Sequence, residues 1–186
     1  MQHQAFNLNT LKNGTERQQA AYDAIVRIGV MQALRPYTPV LAGTIPLDVD
    51  IPGSDLDILC YAPDLDTFAA EAEQQYGHIP TFNAQTKPIN GHATHLVRFQ
   101  AFDFDFELFT QAIPVEQQNG YVHMLIEHRL LALFPQSREP IRNLKRGGLK
   151  TEPAFAHHFK LIGDPYIVLL QLARLDDADL LRRFTT

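Results

Sequence analysis

Asp55-Leu56-Asp57 lies between a tight Pro52-Gly53-Ser54 turn and the apolar run Ile58-Leu59-Cys60. If the stretch from Asp55 to Tyr61 is extended, alternation puts both aspartates on one face and Leu56, Ile58 and Cys60 on the other. Cys60 then belongs to the core rather than to a reacting centre. A second stretch, Phe104 to Phe109, alternates in the same way. There Phe102, Phe104, Phe106 and Leu108 share one face, and Asp103, Asp105 and Glu107 share the other. Carboxylates converging from two strands repel one another and stay ionised only beside a counter-charge. Hard divalent cations supply that charge, because Mg²⁺ favours carboxylate oxygens and fills the rest of its octahedron with water and substrate phosphates. Two such ions about 4 Å apart activate an attacking oxygen and stabilise a leaving pyrophosphate. Same-face neighbours on a strand are displaced by about 6.8 Å, so only one of Asp103, Asp105 and Glu107 can sit level with the aspartate pair.

A metal-chelated polyphosphate also needs cations from the protein, and the charge distribution offers some. From Asp48 to Glu107 eleven acidic residues face only Lys87 and Arg98, whereas from Arg138 to Lys160 six basic residues face Glu139 and Glu152. Within the basic segment, Lys150 is the first candidate to reach a triphosphate, ahead of Lys145 and Arg146. Gly147-Gly148-Leu149-Lys150-Thr151 does not have P-loop spacing. A solvated basic loop carries equal weight.

The elements that must position these groups follow from periodicity. Apolar residues at three- and four-residue spacing predict a helix over 15–35, with Thr15 as N-cap and Pro36 as its end. Residues 39–43 form a candidate buried strand before Gly43. Asp64 caps a helix over 65–76 that turns Phe68, Ala69, Ala72 and Tyr76 inward. Residues 95–102 and 104–109 are extended. Pro114 suits the first turn of a long helix carrying Val115, Gln118, Tyr121, Leu125, Leu131 and Phe134. After Pro135 the chain is helical and loopy, with short helices over 164–175 and 177–184. Gln117, Tyr121 and His123 are further candidates to line a cleft. His123 to His128 has neither zinc-protease spacing, and His92 and His95 read as surface histidines.

Composition excludes several classes. The chain has 186 residues, 45% hydrophobic and 20% charged, with a formal net charge of −5. That suits one domain with a sheet core over about 10–112 and a helical part over about 113–186. An acidic chain is a poor coat for duplex DNA. No apolar run reaches the roughly 18 residues of a membrane span. The first six residues lack a secretory pattern and the single cysteine can make no internal disulfide, so a cytoplasmic location is expected.

Gly43-Thr44, then Asp55-Leu56-Asp57, then Phe106-Glu107-Leu108 resembles the nucleotidyltransferase signature. Thr44 stands where Ser or Gly is usual. The longer phrases LAGTIPLDVDIPGSDLDILCY, FELFTQAIPVEQQNGYVHM and LKTEPAF…GDPY resemble the DUF4269 family, which is grouped with that fold. The resemblance covers about residues 10–175. It implies an α+β (α/β mixed-sheet) nucleotidyltransferase-like core with flanking helices and a helical C-terminal segment. It also implies Mg²⁺ (or Mn²⁺) held by Asp55, Asp57 and Glu107, with Asp105 in reserve for Glu107. Gly43 would admit a phosphate close to the backbone, and Thr44 and Ser54 would donate hydrogen bonds to it. The expected reaction moves a nucleoside monophosphate from an NTP, ATP first, to an unknown small-molecule or protein acceptor. A catalytically silent nucleotide-binding or regulatory module and a metal-dependent phosphohydrolase are the alternatives.

Overall fold

The computed structural model describes residues 8–185. The N-terminal hexapeptide read above for a signal lies outside them. The first helix, α1 (Glu16–Ile28), opens on a reciprocal cap. Thr15 Oγ1 accepts from the Gln18 amide at 3.3 Å, and the Gln18 side chain accepts from the Thr15 amide at 3.0 Å. The helix expected over 15–35 is interrupted at Gly29. This residue takes a left-handed conformation (φ 70°), and its N–H caps the carbonyls of Ile25 and Val26. A four-residue helix α2 (Val30–Ala33) and a 3₁₀ turn at Arg35–Tyr37 complete the segment.

Strands β1 (Val40–Ala42) and β2 (Leu56–Tyr61) pair antiparallel. Helix α3 (Leu65–Tyr76) follows, and the Asp64 carboxylate accepts from the amides of Asp66 and Thr67 at its start. Three more strands come next, β3 (Asn83–Ile89), β4 (His92–Ala101) and β5 (Phe104–Gln111). The sheet order is β1-β2-β5-β4-β3, with β2 and β5 parallel and every other pair antiparallel. The sheet is therefore mixed. The edge strand β3 is exposed along almost its whole length and contains Pro88, so it carries no apolar alternation by which to recognise it. The β4–β5 connection is a two-residue turn in which Phe102 and Asp103 both have positive φ. Phe102 thus leaves the apolar face assigned to it and lies exposed, with the Arg27 guanidinium 4.3 Å above its ring.

One face of the sheet buries Leu56, Ile58 and Cys60 of β2 with Phe104, Phe106 and Leu108 of β5, against α1 and α3. Tyr76, Phe99 and Phe106 form a continuous stack there, with centroids 4.8 and 5.1 Å apart. His95 also points into this core, contrary to its reading as a surface histidine. It is buried, and its Nδ1 lies 2.8 Å from the Thr86 hydroxyl. The opposite face carries Leu59, Tyr61 and Phe109, and the C-terminal helices pack on it.

A 3₁₀ turn at Val115–Gln117 leads into α4 (Asn119–Leu133), so the long helix starts one turn after Pro114 rather than on it. Helices α5 (Arg138–Arg146), α6 (Thr151–His158), α7 (Pro165–Leu172) and α8 (Asp177–Phe184) complete the cover. The basic segment is therefore folded as the end of α5 and the start of α6. Among the described residues no helix is long and apolar enough to cross a membrane.

Candidate active site

Alternation along β2 and β5 puts Asp57 and Glu107 on the face covered by the C-terminal helices. The parallel register sets them directly opposite one another. Asp55 immediately precedes β2. Behind Asp57 runs β1, whose Ala42 is its antiparallel partner. The next residue, Gly43, has φ 78°, and a Cβ on it would collide with the Asp57 carboxylate. The glycine expected to admit a phosphate is thus required first by Asp57.

The loop from Gly43 to Asp55 is held in place at several points. Gln18 donates to the Ile45 carbonyl at 2.9 Å, and Lys145 donates to the Val49 carbonyl at 2.9 Å. Arg142 pairs with Asp48 at 2.9 Å. Within the loop, Ser54 Oγ accepts from the Ile51 amide at 3.0 Å.

These groups line a cleft of about 630 Å³ between the sheet face and the helices. The cleft brings together all seven residues singled out from the sequence, namely Gly43, Thr44, Ser54, Asp55, Asp57, Glu107 and Lys150. Asp105 is not among its lining residues. It sits two residues nearer the turn and accepts from Gln100 at 2.7 Å. Lys150 is exposed at the N-terminus of α6, whereas Lys145 is buried. Gln117 and His123 line the cleft, but Tyr121 is buried in the helical core instead.

Electrostatics distinguish the carboxylates. Burial pushes the Asp57 carboxyl up to about 8, and Asp55, Glu107 and Glu152 add to the rise. Glu107 faces Arg98, its register partner on β4, which donates to it through Nε at 2.6 Å. Oxygen donors with a shared, unfavourable negative charge are the chemistry a hard cation relieves. Asp55 and Asp57 offer oxygen donors of the kind such an ion takes, and Glu107 could join them only on leaving Arg98. Among the described residues, however, no three His, Cys, Asp or Glu side chains are arranged to hold a metal.

A second group of polar residues lines the cleft, of which Glu127 and Glu152 were not singled out from the sequence, whereas Lys145 and His123 were secondary candidates. Glu127 of α4 is 4% exposed, and its Oε1 has no hydrogen-bond partner among the described residues. Burial and then the nearby Glu152 raise its carboxyl well above the usual range. Lys145 is 6% exposed; burial lowers it, against the opposing pull of Glu127, Asp50, Asp55 and Asp57. His123 donates from Nε2 to the Tyr166 carbonyl (2.9 Å), and its Nδ1 lies 3.4 Å from Glu152. Burial alone would raise Glu152. The hydrogen bonds from His123 and from its own backbone N–H, with the charges of His123 and Lys150, hold it lower instead. The one available signal was a Glu placed among apolar residues in the middle of α4.

A family model described as Domain of unknown function (DUF4269) matches residues 23–172. The chain belongs to the DUF4269 family. No curated protein matches it. Among solved structures, this DUF4269 chain is similar to the Cid1 poly(U) polymerase bound to MgGTP, with 10% identity, a TM-score of 0.54, and coverage of 92% of this chain and 55% of that one. It is also similar to a chain of the GLD-2/RNP-8 complex, at 9% identity and TM-score 0.54, covering 94% and 74%. A cytoplasmic RNA terminal U-transferase aligns at 12% identity and TM-score 0.52, over 81% and 46%. At these identities the likeness establishes the fold, which is nucleotidyltransferase-like. The DUF4269 chain spans about half the length of the Cid1 chain it matches.

Proposed function

We propose that this chain is a Mg²⁺-dependent nucleotidyltransferase that moves a nucleoside monophosphate from an NTP, ATP first, to a small-molecule or protein acceptor. The observation that carries this reading is Asp57 and Glu107 held opposite one another on parallel strands, with Asp55 beside them at the floor of the cleft. Divalent metal, when bound, would neutralise these carboxylates together with the triphosphate and stabilise the departing pyrophosphate. Asp55 and Asp57 would hold it, with Glu107 as the third ligand. Lys150, exposed on the rim, would meet the triphosphate, and Thr44 and Ser54 would donate hydrogen bonds to it. The bond from the acceptor oxygen to the α-phosphorus forms as the bond to pyrophosphate breaks, and the hydroxyl proton passes to water.

The Arg98–Glu107 pair favours a second reading, a silent nucleotide-binding module whose third carboxylate is permanently neutralised. Incubation with α-labelled NTPs, Mg²⁺ and a cell extract separates the possibilities. Label joined to an acceptor supports transfer, and label released as free NMP indicates a phosphohydrolase. Label left in NTP, with binding intact, supports the silent module.

A further inference from the structure

The floor of the cleft accounts for Asp55, Asp57 and Glu107, but the helix-borne wall adds two further carboxylates, Glu127 and Glu152. Among the described residues, only Lys145 and Lys150 bring full positive charge to the lining. A fully ionised triphosphate and two divalent ions cancel each other. Leaving out Glu127, whose carboxyl burial raises well above the usual range, the loaded cleft keeps four carboxylates against two ammonium groups, or three against two if Arg98 neutralises Glu107. A third substrate entering that space is favoured if it carries positive charge.

We propose that this wall is the acceptor subsite and that it takes an amine-bearing hydroxyl compound, whose ammonium group is recognised by Glu152 and Glu127. The proposal rests on the nucleotidyl-transfer reading for the identity of the reaction. Glu152 is fixed by His123, which is in turn anchored on the Tyr166 carbonyl, so the carboxylate is presented without reorganisation. Glu152 lines the same cleft as Asp57, so an acceptor held there shares the space with the floor carboxylates. Glu127 is more than nine-tenths buried, yet one of its oxygens has no donor among the described residues, and a ligand ammonium would supply one. Tyr166, partly exposed on the same lining, adds an aromatic surface of the kind that cations favour. A nucleic-acid acceptor fits less well. Its phosphates need several cations, and Lys145 is already buried against the Val49 carbonyl.

The test measures binding of 1,3-diaminopropan-2-ol and of its uncharged analogue glycerol by titration calorimetry at low salt, on the full chain. Mg-ATP binding is measured in parallel. The wild type is expected to prefer the diamine by about tenfold or more, as a charge-assisted contact allows. Glu152→Gln and Glu127→Gln should each erase most of that preference while Mg-ATP still binds, which shows that the variants fold. Equal affinity for diamine and glycerol overturns the proposal, as does a preference unchanged in both variants. Tighter binding of a short oligo(A) RNA than of the diamine also overturns it. A wild type that binds the diamine but not Mg-ATP keeps the subsite and overturns the transfer reading instead.

Discussion

The floor and the wall of the cleft are built by opposite means. The floor is set by sheet register. Asp57 is fixed against Glu107 by backbone hydrogen bonds, and each side chain is backed by phenylalanines or leucines on the far face. The wall is set by helix packing. His123, Glu127, Lys145 and Glu152 come from three separate helices and meet only because α5, α6 and α7 fold over α4. On the floor Asp55 and Glu107 add to the rise of the Asp57 carboxyl, although Glu107 is itself paired with Arg98. Charges on the wall are partly balanced internally, through His123–Glu152 and the field between Lys145 and Glu127. The difference separates carboxylates gathered by sheet register, proposed above to hold metal and phosphate, from polar groups gathered by helix packing.

The sharpest way to break this division is at Glu107. Glu107→Gln should lower label transfer by roughly a hundredfold or more, as removal of a group that stabilises developing charge does. Asp105→Asn, outside the cleft, should leave most of the activity. The reverse pattern in a label-transfer assay would move the third ligand by two residues along β5. Next in size is Lys150→Ala, which should weaken Mg-NTP binding about ten- to hundredfold while leaving bare Mn²⁺ binding nearly unchanged. Retained NTP affinity in calorimetry would return Lys150 to solvent and send the search to Lys145 or Arg146.

Gly43→Ala probes how closely β1 backs the floor. The left-handed backbone alone costs about 1–2 kcal/mol with a Cβ present, and displacement of Asp57 should weaken Mn²⁺ binding as well. Urea denaturation and Mn²⁺ titration of one preparation check both effects, and unchanged values in both would remove Gly43 from the site.

The smallest effect is one of pH. The folded state holds the Asp57 proton more tightly than the unfolded chain does. Its contribution to stability is therefore full below the ordinary carboxylate range and is lost as pH rises through about 8. Without metal, melting temperature should fall by a few degrees between pH 5 and 8, and Asp57→Asn should flatten that slope. A parallel slope in both proteins would show that Asp57 titrates normally.

How much of this was legible in the sequence follows the same division. Strands β2 and β5 announce themselves because a period of two puts Leu56, Ile58, Phe104, Phe106 and Leu108 on one face, and the aspartates and Glu107 fall on the other by necessity. Edge strand β3 is silent, since its backbone pairs with β4 while its side chains stay in solvent. The break at Gly29 was hidden because apolar spacing continues across it into α2. On the wall, polar residues among apolar ones read as a half-exposed helix. His123 and Glu127 are buried by helices remote in sequence, which local periodicity cannot report. Lys145 sits in a run of basic residues that reads as solvated, yet its ammonium reaches inward to the Val49 carbonyl.

Calorimetric Mn²⁺ titration of the wild type, Asp57→Asn and Glu152→Gln tests the central claim, that the floor and not the wall holds metal. The account predicts a loss of roughly tenfold or more for Asp57→Asn, since even outer partners of a metal cost that much, and little change for Glu152→Gln. Equal affinities for the wild type and Asp57→Asn, or a larger loss in Glu152→Gln, would contradict it.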